Sequence, residues 1–222
     1  MKPIIKKVEY DIIDHCNLNC NYCIHNSQFK THREESVEFI VNDLKYLFDR
    51  FDIGQLVLKG GEPTLHSNIS GVLLNIKNIV GNTKLTMVTN GLKMLSMPDS
   101  FFLAAKMVNL YINLSKYPTG IDYDKIKAKM LEKRIHFDVR KMDIFFDFID
   151  PKGKQNAQQS LKECRGTGTD FYPLYYNKRL YLCCFVYDVP FVNEKFKYNI
   201  PHDSVSIYDD YEKIMKYLDI PC

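Results

Sequence analysis

The chain has 222 residues, of which 45% are hydrophobic and 26% charged, and these values are typical of one sizeable globular domain with a modest appendage. No apolar run approaches the roughly 20 residues that cross a membrane, and the first residues contain no apolar signal core, so we expect a cytoplasmic protein with no membrane partner. The formal net charge is only +3 and the lysines are spread along the chain, which gives no indication of a nucleic-acid partner.

The first predicted strand, an apolar run at residues 8–13, is followed at once by Cys16, Cys20 and Cys23. Seven cysteines without a secretion signal favour a reducing compartment and metal binding over disulfides. Three thiolates in one loop are one ligand short of the four that saturate zinc or a 4Fe–4S cluster. An iron–sulfur site with a free position, a zinc knuckle and unligated thiols are all open at this point. For zinc, the nearby His15 and His25 lie closer to a cysteine than the usual ligand spacing.

A glycine pair ends the second predicted strand. Helical periodicity at residues 37–48 is followed by an apolar run at 55–59 and then by Gly60, Gly61, Glu62 and Pro63. Consecutive glycines at a strand end permit positive φ and close approach of a ligand to backbone N–H and C=O groups. An ordinary strand-to-helix turn is the alternative interpretation of these four residues.

The rest of the first 141 residues repeats the strand–helix alternation. Further strands are predicted at 84–89, 109–114 and 136–141, with helices at 69–80, near 100–107 and near 123–133. Such alternation favours a parallel sheet with right-handed crossovers. Five clear strands are too few for a closed eight-stranded barrel, so the fold class we predict is α/β, an open partial (β/α)-barrel. Sites in such folds gather at the carboxyl ends of the strands.

The pattern changes after residue 141. A polar stretch at 150–160 reads as a linker, and apolar runs at 171–176 and 179–186 around Asn177-Lys178 predict a hairpin. A short strand near 205–208 and an amphipathic helix at 211–218 follow. We therefore predict two units: a core at residues 1–150, and a small α+β extension with a hairpin at residues 151–222.

Taken together, these motifs closely resemble the radical S-adenosylmethionine superfamily over roughly residues 7–141. The matching residues are the three cysteines with Tyr22 before the third, Gly60 to Pro63, Thr89-Asn90-Gly91 after the third strand, and Asn113-Leu114-Ser115 at the end of the fourth. The opening from His15 to Cys20 is typical of members with an additional C-terminal cysteine region.

The resemblance implies cofactors and a reaction. Cys16, Cys20 and Cys23 would hold a 4Fe–4S cluster whose fourth iron chelates S-adenosylmethionine, and one-electron reduction would release a 5′-deoxyadenosyl radical that abstracts hydrogen from a substrate. Backbone groups of Gly60–Glu62 would receive the amino group, and Asn113 or Ser115 would meet the ribose or the carboxylate.

Three further residues are assigned to the cofactor pocket by the same resemblance. The Tyr22 backbone would touch the adenine, and Thr89 and Asn90 would line the pocket. By residue type alone, Tyr22 could be a core aromatic and Thr89-Asn90 a strand-end turn. Arg140, near the end of the fifth strand, could pair with a carboxylate, but a surface arginine is the simpler interpretation, and we leave it out of the predicted site.

The C-terminal cysteines admit three interpretations. The resemblance implies a SPASM-like auxiliary iron–sulfur region with Cys164, Cys183 and Cys222 as candidate ligands, while buried apolar thiols and a zinc site are the alternatives. The vicinal Cys183 and Cys184 would point to opposite faces of a strand, so only one of them could ligate.

The substrate is not indicated by any motif, and no catalytic acid, base or nucleophile can be assigned. A peptide and a sugar or other small metabolite are both open, and the expected partner is an external one-electron reductant of the flavodoxin or ferredoxin type. The alternative function is a non-catalytic iron–sulfur or zinc protein that retains the fold.

Overall fold

A computed structural model describes residues 2–142, 156, 158–159 and 172–220. The strands within them are β1 (Ile4–Ile5), β2 (Val8–Ile13), β3 (Asp52–Ile53), β4 (Gln55–Gly60), β5 (Lys84–Thr89), β6 (Tyr111–Lys116), β7 (His136–Lys141), β8 (Leu174–Tyr176), β9 (Arg179–Tyr181) and β10 (Val205–Ser206). The helices are α1 (Val37–Arg50), α2 (Ile69–Val80), α3 (Asp99–Met107), α4 (Tyr123–Glu132), α5 (Cys184–Phe196) and α6 (Tyr211–Leu218), with 3₁₀ turns at Pro63–Leu65 and Met94–Ser96.

The main sheet has the order β10-β9-β8-β2-β4-β5-β6-β7. From β2 to β7 all pairs are parallel, and each strand lies beside the one before it after a single helix. This stepwise parallel progression is that of a (β/α)-barrel, and β7 and β10 end the sheet without pairing to each other in the part of the chain described. The predicted α/β open partial barrel is therefore confirmed, and all five predicted parallel strands are present.

Local signals explain where the helices begin and end. The Ser36 hydroxyl accepts the Phe39 N–H at 3.1 Å and starts α1, and the Asn68 side chain accepts the Gly71 N–H at 3.0 Å and starts α2. β6 begins two residues later than predicted because Asn109 has a φ of +50°, which no strand residue adopts.

The two faces of the sheet differ in chemistry. One face buries the apolar side chains of β2, β4, β5 and β6 against α1 to α4 and forms the hydrophobic core. Strand register places the polar side chains on the other face, which we call the inner face; it carries Glu9, Asp11, Lys59, Thr86, Asn113, Ser115 and Arg140. Helices α1 to α4 thus stabilise the sheet from one side and leave the inner face for chemistry or for other elements.

The C-terminal extension joins the same sheet. The predicted hairpin is present: Asn177 and Lys178 both have positive φ, at +46° and +61°, and connect β8 to β9. β8 pairs with β2 in parallel through Glu9 and Leu174. The predicted domain boundary at residue 150 lies outside the described residues and stays a prediction.

The second predicted strand of the hairpin is too long. Residues 184–186 begin α5 rather than continuing β9, and Cys183 is the residue that precedes this helix. Cys184, Asp188 and Val192 are buried at a spacing of four residues, which is helical. The β-branched residues around Pro190 obscured that spacing, because they favour a strand.

No helix of the described residues is both long enough and apolar enough to span a membrane.

Candidate functional site

The carboxyl ends of β2, β4, β5 and β6 meet at one edge of the sheet, as parallel strands require. The cysteine loop leaves this edge after β2, the glycine pair after β4, and Asn90 follows β5. Two hydrogen bonds join the first two segments: Gly61 N–H donates to the Ile13 carbonyl at 2.8 Å, and Glu62 N–H donates to the His15 carbonyl at 3.0 Å. The cysteine loop, the glycine pair and Asn90 therefore lie at the edge of the sheet where the fold rule predicted them.

The three loop cysteines are free thiols of intermediate exposure. Burial is the main reason that the pKa of Cys16 is raised to about 11, and the charges of Cys23 and Cys20 add to it while the Leu18 N–H opposes it. Burial and then the charge of Cys23 also raise the pKa of Cys20. The thiols are thus close enough to influence one another's ionisation, and a cation placed among them would favour the thiolate forms. Among the residues described, no three His, Cys, Asp or Glu side chains are already arranged as a metal site.

Tyr22 belongs to the cysteine loop and does not pack in the hydrophobic core. Its side chain is 55% exposed and its φ is +57°, a left-handed conformation between the second and third cysteines. The interpretation of Tyr22 as a core aromatic is therefore wrong.

The glycine pair is required by close packing against the strand β2. A Cβ atom on Gly60 would lie 2.0 Å from the Ile13 carbonyl oxygen, and one on Gly61 would lie 2.0 Å from that of His15. Gly60 also has a φ of +130°. The N–H groups of Gly61 and Glu62 are already used, so the turn can offer a ligand carbonyl oxygens rather than these N–H groups.

The Glu62 carboxylate is buried and acts as an internal brace. It accepts the Thr64 N–H at 3.0 Å, the Thr64 and Thr89 hydroxyls at 2.5 and 2.6 Å, and the Asn90 N–H at 2.8 Å. Burial raises the pKa of this group, and the four donors oppose that shift. Glu62 and Thr89 therefore fix the ends of β4 and β5 relative to each other, and their side chains are turned toward the protein.

Asn90 faces the cysteine loop. Its Nδ2 donates to the Asn17 Oδ1 at 2.8 Å and lies 3.7 Å from the Cys16 Sγ. Its Oδ1 accepts the Leu92 N–H at 2.9 Å, which is the strand-end turn that residue type alone suggested. Asn90 therefore forms the strand-end turn and also contacts the loop that carries the first cysteine.

Sequence reasoning missed Tyr123 and Tyr117. The Tyr123 hydroxyl accepts the Tyr117 N–H at 3.0 Å and lies 3.1 and 3.2 Å from the carbonyl oxygens of Asn90 and Ser115, to which it can donate. It therefore connects the ends of β5 and β6. Burial and then the charges of Cys20, Cys23 and Cys16 raise the pKa of Tyr117, which places its ring near the cysteine loop. No sequence motif marks either tyrosine.

Asn113 and Ser115 lie on the inner face of β6, and register brings Arg140 to them. Ser115 pairs with Arg140 and Asn113 with Asp138 across β6 and β7. The Arg140 side chain is 55% exposed, and its Nε lies 3.7 Å from the Asp138 carboxylate, a distance at which an exposed ion pair contributes little. An accessible guanidinium thus lies beside Ser115 on the inner face.

Two of the C-terminal cysteines lie at the start of α5. Cys183 and Cys184 are both buried there, so the expectation that they alternate across a strand is wrong. Burial and then the charge of Glu9 raise the pKa of Cys184. Cys164 and Cys222 lie outside the described residues, and the auxiliary cluster stays a prediction.

Comparison with known proteins identifies the superfamily. The family model of the Radical SAM superfamily matches residues 10–136, more than half of the chain, and the chain belongs to that superfamily of enzymes. Its members use a 4Fe–4S cluster and S-adenosylmethionine.

Particular relatives share part of this length. The GTP 3′,8-cyclase of Crocosphaera subtropica is 27% identical over 184 residues, which are 72% of this chain and 52% of that protein. A probable GTP 3′,8-cyclase of Methanococcus aeolicus is 33% identical over 96 residues, 40% of this chain and 30% of that protein. The chain therefore spans about half or less of these relatives.

Solved structures are similar at lower identity. BtrN in complex with AdoMet and 2-DOIA has a TM-score of 0.46 and 13% identity over 68% of this chain and 66% of that one. Native anSMEcpe with bound AdoMet has a TM-score of 0.47 and 17% identity over 62% of this chain and 44% of that one.

Proposed function

We propose that the chain is a radical S-adenosylmethionine enzyme whose 4Fe–4S cluster is held by Cys16, Cys20 and Cys23. The observation that carries the proposal is the convergence of three partly exposed, mutually interacting thiols with a glycine pair and Asn90 at one sheet edge. When bound, cluster and cofactor supply a one-electron reductive cleavage of the sulfonium that yields methionine and a 5′-deoxyadenosyl radical, with the electron drawn from an external flavodoxin- or ferredoxin-like reductant.

The donor set fits an iron–sulfur cluster better than zinc. A tetrahedral structural zinc site needs a fourth protein ligand. His25 is buried and its Nδ1 lies 3.3 Å from the Asp11 carboxylate, so it is committed away from the loop. The ring of His15 is stacked on that of His32, with 4.8 Å between the centroids. In the described part of the chain neither neighbouring histidine is placed as a fourth ligand, and this supports a cluster that keeps one iron open.

The backbone of the glycine pair suits the amino end of the cofactor. An amino group is a donor and needs acceptors, and with the N–H groups of Gly61 and Glu62 already used, we assign this role to carbonyl oxygens of the Gly60–Gly61 turn. We assign Glu62 and Thr89 to positioning, because their side chains bond within the protein. Asn90 and the Tyr22 backbone complete the wall next to the cysteine loop.

The carboxylate end is assigned to Ser115 together with Arg140. A guanidinium recognises a carboxylate through paired N–H donors, and Arg140 is the exposed cation that register brings beside Ser115. Asn113, one register step away on the same face, is then left for the ribose hydroxyls. We therefore add Arg140 to the proposed site, although the sequence-based prediction left it out.

Only the sequence relatives of this chain indicate which substrates to test first. The names of the relatives make GTP the first compound to test, and a sugar or other small metabolite and a peptide follow. Because the chain covers about half of those proteins or less, a substrate is to be established on this chain directly.

The decisive experiment is anaerobic reconstitution with iron and sulfide, reduction with dithionite, and measurement of 5′-deoxyadenosine from S-adenosylmethionine. We expect formation by the wild type, none by C20A, and near-normal formation by C184A, which removes a thiol outside the loop. Equal turnover by C20A, or no cleavage by a wild type that contains the cluster, would refute the proposal and favour a non-catalytic metal protein. Iron counting on the same samples tests the auxiliary site, because one cluster gives about four irons and two give about eight.

A further inference from the structure

Helix α5 packs against the segment that leaves the cysteine loop, residues 23–30, which we call the exit segment. Its residues Cys184 and Asp188 act electrostatically on Glu9, Lys59 and Asp11 of the inner face, so the helix covers that face over β2 and β4. The C-terminal extension and the cysteine loop are therefore in contact through side chains that are far apart in the sequence.

The central contact is a buried ion pair between Lys30 and Asp188. The Lys30 Nζ lies 2.6 Å from the Asp188 Oδ1, and the side chains are 1% and 0% exposed. The same ammonium faces the rings of Tyr187 and Phe191, at 5.3 and 5.6 Å from their centroids. A second carboxylate, Asp14, lies 3.7 Å away. Most of the environment that makes a charged Lys30 tolerable in the interior is thus supplied by α5.

A second contact reaches closer to the third cysteine. Asn26 is buried, has a φ of +47°, and its N–H donates to the Cys23 carbonyl at 2.9 Å, so it closes the turn that follows Cys23. Its Nδ2 is 3.5 Å from the other carboxylate oxygen of Asp188. Asp188 therefore contacts both the middle of the exit segment, at Asn26, and its end, at Lys30.

A third contact lies at the outer end of the helix. The rings of Phe29 and Phe196 meet edge to face with 5.2 Å between their centroids, and the Lys195 Nζ lies 5.7 Å from the Phe29 centroid. Phe196 is 41% exposed, so this contact can be removed without opening the core.

We propose that α5 is a clamp on the exit segment and that Asp188 is a positioning residue for Cys23. The role of Cys23 as a ligand rests on the proposed function, but the clamp itself does not. Without Asp188 the buried Lys30 ammonium would keep only the more distant Asp14 carboxylate, at 3.7 Å. A buried charge that loses its closest partner is strongly disfavoured, so the segment that carries Lys30 has to move toward water. In this interpretation the extension holds the primary cysteine loop in shape, whether or not it also carries a second cluster.

Hydrogen exchange of the metal-free full chain tests the clamp without reference to any cofactor. In D188A we expect amide exchange in residues 23–30 to rise by more than about tenfold, with the central strands β4 and β5 unchanged. E194Q, which alters an exposed carboxylate on the same helix, is the matched control and should leave exchange as in the wild type. The neutral double variant K30M/D188N removes both charges and should return the exit segment toward wild-type protection.

Three outcomes overturn the proposal. The first is unchanged exchange of residues 23–30 in D188A, and the second is a rise that is equal in all strands while K30M/D188N gives no recovery, which is the behaviour of a merely structural residue. If D188A does not fold, hydrogen exchange is measured on F196A instead. The third outcome that refutes the clamp is an F196A protein in which exchange of the exit segment does not rise. On reconstituted samples, the expected companion result is iron loss to a chelator several-fold faster in D188A than in E194Q. A faster loss without S-adenosylmethionine cleavage in the wild type would uphold the clamp while refuting the proposed function.

Discussion

Replacing Gly61 with alanine is the most direct test of how the site is assembled. The new Cβ would lie 2.0 Å from the His15 carbonyl oxygen, 2.3 Å from its carbon and 2.6 Å from the Asp14 oxygen, and all three are backbone atoms. Real Cβ contacts do not fall below 3.0 Å. The chain just before Cys16 must therefore move until the 2.0 Å separation between the new Cβ and the His15 oxygen reaches at least 3.0 Å. The φ of Gly61 is not in the left-handed region, so the effect is steric and not conformational.

The size of the effect follows from two losses. Overpacking against backbone costs about 1–3 kcal/mol, and displacement of the His15 carbonyl removes the 3.0 Å bond from Glu62 N–H, which contributes about 1 kcal/mol. We therefore expect G61A to lower the free energy of unfolding by about 2–4 kcal/mol, or the melting temperature by about 4–16 °C for a chain of this size. The reconstituted variant should also lose iron to a chelator faster than the wild type.

Gly120 supplies the control for this experiment. A Cβ on Gly120 meets nothing within 4 Å, and its φ is +73°, so G120A carries only the strain of a left-handed residue, about 1–2 kcal/mol. Urea unfolding of both variants in the metal-free state measures the difference. A G61A protein no less stable than G120A, with normal iron retention, would refute the packing of the glycine pair against the cysteine loop.

Three further predictions concern other groups of the site and the inner face. In E62Q the side-chain Nε2, itself a donor, must face groups that already donate to Glu62. We therefore expect the free energy of unfolding in urea to fall by about 1–3 kcal/mol. A variant as stable as the wild type would contradict the bracing role of Glu62. Burial would raise the pKa of Asp11, but His25, Lys30 and Lys59 outweigh it and lower the pKa to about 2. The unfolded state then binds more protons between pH 4 and 2, so the free energy of unfolding falls by roughly 2 kcal/mol as the pH drops through that window. In D11N, unfolding measured across the same pH range should depend less on pH than in the wild type. R140M should weaken S-adenosylmethionine binding about tenfold or more in calorimetry while R140K retains part of it; unchanged affinity in R140M would exclude Arg140 from the cofactor site.

Local sequence signals account for the part of the fold that was predicted. Apolar periodicity identified β2, β4, β5, β6 and β7, and the rule that parallel strands share their carboxyl edge brought the cysteine loop, the glycine pair and Asn90 together. The helix α5 was missed because Pro190 argues against a helix interior and the aromatic and β-branched residues of the run at 179–186 favour a strand, although Cys184, Asp188 and Val192 carried the helical spacing.

The bonds inside the site could not be predicted in the same way. The Glu62 carboxylate meets Thr89, 27 residues later, and the Tyr123 hydroxyl meets Asn90, 33 residues earlier. Nothing local in the sequence distinguishes a buried bracing carboxylate from one that faces a ligand. Arg140 was set aside for the same reason, because only strand register brings it beside Ser115.

The charges beneath α5 also explain why this helix docks in one position. A buried pair joins the helix to the exit segment, Lys30 with Asp188, with 2.6 Å between nitrogen and oxygen. The pair of Lys59 with Glu9, at 2.7 Å, lies wholly on the sheet beneath the helix. An apolar interface would bury similar area after a shift of one helical turn, about 5.4 Å. The same shift would separate Asp188 from Lys30 and leave Lys30 with only the more distant Asp14, and buried charges that lose their partners are strongly unfavourable. The Lys30–Asp188 pair therefore fixes the register of α5 against the exit segment more than it adds to overall stability.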